Sequence, residues 1–307
     1  MIFNQFSINI LRVIKIPDLV TAFRYDPACF LRVSGGDAAT FLQGQFSNDL
    51  SGMYAGQAVY GLWLDRKGRV VADSYVIASA KEGEFWVASV GSGAATVMRR
   101  LQDFIVADDV EIEDRTGDWE GLSLIGEGSG AWLSADPREG HYFPGRRSSG
   151  ECFEWIYPRA DRPLVDAAVS GALWLSADEV ESLRIHCGIP SIPGDIGPGE
   201  LPNEGGLEDA AVSYSKGCYL GQEVMARLKT RGTIRRGLVR VRGRDPHPTS
   251  PAALWMDGKR VGELRSSVPQ GPGFAGLALV LKASLQAGAR LSLSADGPAS
   301  VEVITGD

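Results

Sequence analysis

The sequence predicts an α+β body of mostly antiparallel strands followed by a small all-β domain that reads as a barrel. Three observations carry this. First, the strand-like runs Ala58–Leu64 and Val70–Ala78 flank Asp65-Arg66-Lys67-Gly68-Arg69. That is a hairpin, with a glycine near the end of a short polar loop to supply the positive φ. Second, single helices interrupt the strands with no repeat of fixed period, and the hairpin pattern favours antiparallel pairing. Third, only strand candidates follow Arg235.

The elements follow in order. Residues 1–29 are expected to be a leading segment that packs on the body; its first part has too many polar interruptions and too few arginines for a signal or organelle leader. A strand is expected over 30–33. Asp37 is expected to cap a short helix that buries Ala38, Phe41 and Leu42. A strand over 84–90 leads to a helix over 93–105, where Ala94, Val97, Met98, Leu101 and Ile105 share one face. Further strands fall over 110–112 and 121–125. A second helix, 176–187, opens with Ser176 and Glu179 in capping-box spacing and ends at Gly188 and Pro190. The Gly/Pro-rich stretch 188–206 is a long ordered connection of the kind that is often functional. It lies within the body, 30–234. The tail, 235–307, holds strands over 237–241, 253–256, 260–264, 273–281, 290–293 and 301–304, with Asp257-Gly258 as a hairpin turn.

Composition narrows the function classes. The chain has 307 residues, 32.9 kDa and a formal charge of −7. It is long enough for a large core in two or three lobes. The acidic balance speaks against gripping nucleic acid through a basic face. Cys29, Cys152, Cys187 and Cys218 form no CxxC pair, so neither a structural zinc site nor a redox dithiol is supported. No apolar run reaches the ~18 residues that cross a bilayer. The expected compartment is the cytoplasm.

Chemistry concentrates at Lys216-Gly217-Cys218-Tyr219-Leu220-Gly221-Gln222-Glu223, followed by Ala226-Arg227 and Arg231. Two glycines let the backbone turn sharply and expose the sulfur. A thiol reacts as its thiolate, with an ordinary pKa of ~8.5, and Lys216, Arg227, Arg231 and the start of a helix after Gly221 all favour the charged form. The other reading is a small buried residue in a tight turn, the usual place of a free cysteine. A dinucleotide fingerprint at Gly91-Ser92-Gly93-Ala94-Ala95-Thr96 is disfavoured by Thr96 in its last place and by the antiparallel strands before it. The three histidines do not cluster; His186 suits the C-terminal end of its helix.

Together these segments resemble the YgfZ-type branch of the aminomethyltransferase-like family, relatives of the glycine-cleavage T-protein that include mitochondrial iron–sulfur assembly factors. The cysteine octapeptide carries most of the likeness. Phe41-Leu42-Gln43-Gly44-Gln45-Phe46-Ser47-Asn48-Asp49-Leu50, Asp65 to Val70, Leu183 to Pro190, and Pro202 with Glu204 keep the family order. The resemblance implies a three-lobed fold, with two α+β folate-binding lobes and a C-terminal β-barrel around a central hole. It implies tetrahydrofolate or a derivative as the cofactor. Gln45, Asn48, Asp49, Lys67, Tyr219, Gln222, Glu223 and Arg227 are its expected contacts, and Cys218, tuned by Lys216, its working thiol. Iron–sulfur proteins or their assembly machinery are the expected partners, with no membrane, no direct nucleic acid and only an indirect effect on tRNA modification. The pterin-gripping glutamate of the aminomethyltransferases is replaced by His186, and their essential aspartate aligns with Thr96. Methylene transfer is therefore not expected, although a folate-dependent one-carbon enzyme remains the alternative, with Asp49 and Asp65 as its carboxylates.

Overall fold

A computed structural model describes residues 20–132, 140–285 and 289–304. The chain runs through β1 (Thr21–Tyr25), β2 (Cys29–Ser34), α1 (Ala38–Gln45), β3 (Ala58–Leu64), β4 (Val70–Ala78), β5 (Glu84–Ser89), α2 (Ala94–Gln102), β6 (Glu111–Asp114) and β7 (Trp119–Ile125). It continues through β8 (His141–Pro144), β9 (Cys152–Pro158), α3 (Arg162–Ala168), β10 (Leu173–Trp174), α4 (Ala177–His186) and α5 (Gln222–Arg231). The tail contributes β11 (Arg236–Gly243), β12 (Ala252–Met256), β13 (Lys259–Gln270), β14 (Gly273–Leu281), β15 (Arg290–Leu291) and β16 (Val301–Ile304).

These strands form three sheets. The first has the order β3-β4-β5-β2-β6 and is antiparallel throughout. Alternation along its strands sends Leu31, Val33, Trp63, Ala72, Val76 and Val87 to one face, where α1 and α2 cover them with Phe41, Leu42, Val97 and Leu101. The other face presents Phe30, Tyr75, Ile77, Trp86 and Ala88 to Phe143 and Ile156 of the second sheet, so two sheets share a core. The second sheet has the order β10-β1-β7-β9-β8, parallel only between β1 and β10. Its far face buries Ala22, Leu122, Leu124, Trp155 and Tyr157 under Val165 of α3.

The third sheet, β12-β13-β14-β11-β16-β15, curls until Trp255 and Ser292 exchange backbone hydrogen bonds of 2.9 and 2.8 Å. This nearly closes the expected barrel around Val241, Leu254, Phe274, Val280 and Val301. Asp257 and Gly258 both take positive φ, 51° and 73°, as a two-residue hairpin turn demands.

One local expectation reads differently in the structure. The α4 capping box forms as expected, with Ser176 Oγ accepting from the Glu179 N–H and Glu179 reaching back to the Ser176 N–H. Asp37 does precede α1, but its carboxylate accepts the Asp109 N–H at 2.8 Å instead of capping the helix. At Gly91 to Thr96 the preceding strand β5 pairs antiparallel with β2 and β4, which removes the parallel unit a dinucleotide site needs.

Candidate functional site

The motif segments that stood out in the sequence converge. Lys216 is buried, and its ammonium donates to the carbonyls of Gln43, Phe46 and Asn48 at 2.7, 2.8 and 2.7 Å. Burial pushes this group down to about 8, against the pull of Asp49 and three carbonyl acceptors that favour its charge. The cysteine motif is thereby tied to the segment after α1. Its far end is tied to the β3–β4 hairpin: Gly221 has φ +87°, and an added Cβ there would meet the Asp65 carbonyl oxygen at 2.9 Å and Gly68 Cα at 3.0 Å. Tyr219 and Met225 bury themselves beside Leu62, Leu64 and Val70. Between these fixed points Cys218 is exposed to solvent. Of the two sequence readings of this residue, the structure shows the exposed thiol.

Of the remaining expected contacts, three side chains are engaged within the protein and four lie at its surface or in the first turn of α5. Gln45 Oε1 accepts from Arg100 at 2.9 Å. Asn48 Nδ2 donates to the Tyr60 carbonyl at 2.8 Å, and Asp49 accepts from Ser51 and Gln43. Lys67, Glu223 and Arg227 are exposed, and Gln222 is half-buried in the first turn of α5. Asp65 accepts the Lys67 and Arg69 N–H groups and so shapes its own turn. Thr96 is exposed on α2.

A separate cleft lies where the first two sheets meet α4 and the 188–206 connection. It holds about 590 Å3 of space, part of it open to solvent, and is lined by Tyr60, Asp73, Tyr75, Arg146, Arg147 and Arg184, among others. None of the contacts expected from the sequence lines it. Trp63 is fully buried behind its wall, its Nε1 donating to Ser74 Oγ at 2.9 Å.

The cleft has a carboxylate that sequence reasoning missed. Asp73 Oδ1 accepts from Ser92 Oγ at 2.6 Å and Ser89 Oγ at 2.9 Å, while Oδ2 accepts from the Tyr60 hydroxyl at 3.0 Å. Burial pushes the Asp73 carboxyl above its ordinary value, and the three hydroxyls oppose that rise. No cation pairs with it among the described residues. Opposite, the Arg146 guanidinium lies 4.3 Å over the Tyr60 ring. Arg147 Nε reaches Glu154 at 3.3 Å, and Glu154 in turn accepts from Tyr25 and Ser123 at 2.7 Å. Arg184 donates to Asp195 at 2.5 Å and also pairs with Glu181. His186, next along α4, is engaged by Ser182 and Gln270. A lone aspartate in the strand VVADSYVIA, and an arginine pair in a loop, carry no spacing signal. Only the folded arrangement brings them together.

Comparison with known proteins agrees with this architecture. Residues 24–136 match the family described as the GCVT N-terminal domain. The chain is 30% identical over 307 residues to the human iron-sulfur cluster assembly factor IBA57, mitochondrial, covering 90% of this chain and 84% of that protein. It is 29% identical over 270 residues to the tRNA-modifying protein YgfZ of Edwardsiella ictaluri, covering 76% of each. Among solved structures, glycine cleavage system aminomethyltransferase T from Bartonella henselae superposes with a TM-score of 0.76 at 20% identity, over 94% of this chain and 85% of that one. This last likeness shows a common fold. Among the described residues no helix is long and apolar enough to cross a membrane.

Proposed function

Because the chain belongs to the YgfZ/IBA57 family of aminomethyltransferase-like proteins, we propose that it binds a tetrahydrofolate in the central cleft and serves the assembly or repair of iron–sulfur proteins through Cys218. The observation that carries this reading is the mounting of the thiol. Cys218 stands in solvent on a turn that is held at one side by Lys216 and at the other by Gly221, outside the cleft. An exposed thiol on a fixed mount suits contact with another macromolecule, whereas the cleft suits a small molecule with ring and amide groups. One cysteine supplies one ligand, so any iron–sulfur cluster handled here draws its other ligands from a partner. An effect on tRNA modification follows indirectly, through the iron–sulfur enzymes that perform it, and the net charge of −7 fits this better than direct RNA binding.

Calorimetry with tetrahydrofolate on the wild type and Cys218→Ala, paired with complementation in cells, tests the division of labour. Both proteins are expected to bind with similar affinity, while only the wild type restores iron–sulfur enzyme activity. Full complementation by Cys218→Ala would remove the thiol from the mechanism. Absence of folate binding by the wild type would remove the cofactor.

Asp73 supports a second reading. A caged carboxylate in the cleft is the group a one-carbon transferase needs to steer an amine, and neither Thr96, Asp49 nor Asp65 lines that cleft. Turnover of an aminomethyl donor by the wild type, lost in Asp73→Asn, would establish that activity.

A further inference from the structure

The cleft contains more hydrogen-bond donors than its own acceptors satisfy, and they gather at one corner. Arg147 Nη2 and the Tyr75 hydroxyl are both buried from solvent, and neither has a hydrogen-bond partner among the described residues. Unmet donors at this depth are costly, so their retention on the wall of the cleft points to an acceptor supplied from outside. Arg146 adds a third group. It lines the same space and stacks on Tyr60, yet no hydrogen bond or ion pair engages it among the described residues.

We propose that this corner, formed by Arg146, Arg147 and Tyr75, is the seat for a carboxylate of the bound ligand. The charge count selects a monoanion. Glu154 already offsets Arg147 and is itself held by Tyr25 and Ser123, which leaves Arg146 as the corner's guanidinium without an ion-pair partner among the described residues. A phosphate dianion would bring a second negative charge close to Glu154, whereas a planar carboxylate matches one free charge and a fork of N–H donors. Asp73 makes the opposite pole: its caged oxygens favour a ligand group that donates N–H. Tyr60 links the poles, since its hydroxyl donates to Asp73 while its ring carries Arg146. The cleft therefore reads a ligand by two ends of opposite character. The inference rests on the cleft being the folate site and deepens it by moving the anion contact from Lys67 and Arg227, both exposed and outside the cleft, to the arginine pair.

The test uses the full chain and Arg146→Met, which keeps the side-chain length and breaks no ion pair. Lys67→Met is the control. Each is titrated calorimetrically with tetrahydrofolate, with a tetrahydropterin that has no carboxylate, and with inorganic phosphate. Arg146→Met is expected to weaken tetrahydrofolate at least tenfold, to leave the tetrahydropterin unchanged, and to show no phosphate binding to lose. Lys67→Met should match the wild type. If tetrahydrofolate binds the wild type and Arg146→Met equally, the carboxylate seat is wrong while the folate reading stands. If the wild type binds no tetrahydrofolate, the folate reading fails, and 4-aminobenzoate and glutarate at millimolar concentration decide the seat. Arginine-dependent binding of either upholds it, and binding of neither overturns it.

Discussion

His141 shows how a single side chain converts burial into pH dependence. It sits among the rings of Phe30, Trp86 and Trp119, with centroids 5.4 to 5.8 Å away, and burial pushes its pKa down to about 4. The unfolded chain takes up this proton near 6.5, before the folded one does, so the unfolded state binds more protons across the interval and stability rises with pH there. The contribution is complete above pH 6.5 and is lost as pH drops toward 4, with a ceiling of about 3 kcal/mol. Urea unfolding at pH 7 and pH 4.5 checks this: the wild type should lose about 2 kcal/mol more than His141→Phe. Equal losses would mean that the imidazole is already solvated. At this scale the sequence was least informative. Cys218 was visible because glycines and cations surround it, whereas Asp73 differs from any polar residue of a strand only in where β4 points it.

At the scale of elements, legibility depended on whether the signal was local. The Ser176–Glu179 box and the Asp257-Gly258 turn are satisfied within four residues, and both form as the sequence implied. Asp37 carries a comparable local signal, but the Asp109 N–H, distant in sequence, takes its carboxylate. Strands β1, β8 and β9 went unrecognised because each is short or aromatic-rich, and they acquire meaning only by pairing with β7 or with one another. Gly221 joins two elements and yields a sharp expectation. Its positive φ disfavours any side chain, and a Cβ would press on the hairpin backbone at Asp65 and Gly68. Gly221→Ala should cost about 2 kcal/mol by denaturant unfolding and change the rate at which a maleimide labels Cys218. Gly217→Ala, with open space around its Cβ position, is the control. An unchanged labelling rate in a destabilised Gly221→Ala would show that the hairpin supports the helix but does not set the thiol.

The whole molecule is held by polar contacts that tie the barrel to the body, and these were beyond the reach of pattern reading. The sequence separates an α+β body from an all-β tail because helical signals stop near residue 235, and the three sheets follow that division. It says nothing of how the tail docks. Asp195, fully buried in the 188–206 connection, accepts from Arg184 of α4 at 2.5 Å, from the Ser191 N–H at 2.8 Å and from Ser266 of β13 at 2.5 Å. Arg236 of the barrel holds Glu204, and Arg265 holds Glu200, at 2.7 and 2.9 Å. Apolar packing runs across the same seam, where Ile185 meets Val268, Ala275 and Leu277. Arg184 lines the cleft as well, so the joint that seats the barrel also positions one wall of the ligand site. Removing the acceptor leaves a buried guanidinium whose one remaining carboxylate, Glu181, is exposed, a change of the kind that costs about 3–5 kcal/mol. Asp195→Ala should therefore unfold at markedly lower urea concentration and bind the cleft ligand more weakly, whereas Asp195→Asn, which keeps an acceptor oxygen, should recover part of both. Loss of stability with ligand affinity fully retained would show that the barrel is anchored by its apolar seam and that the polar joint leaves the cleft wall where it was.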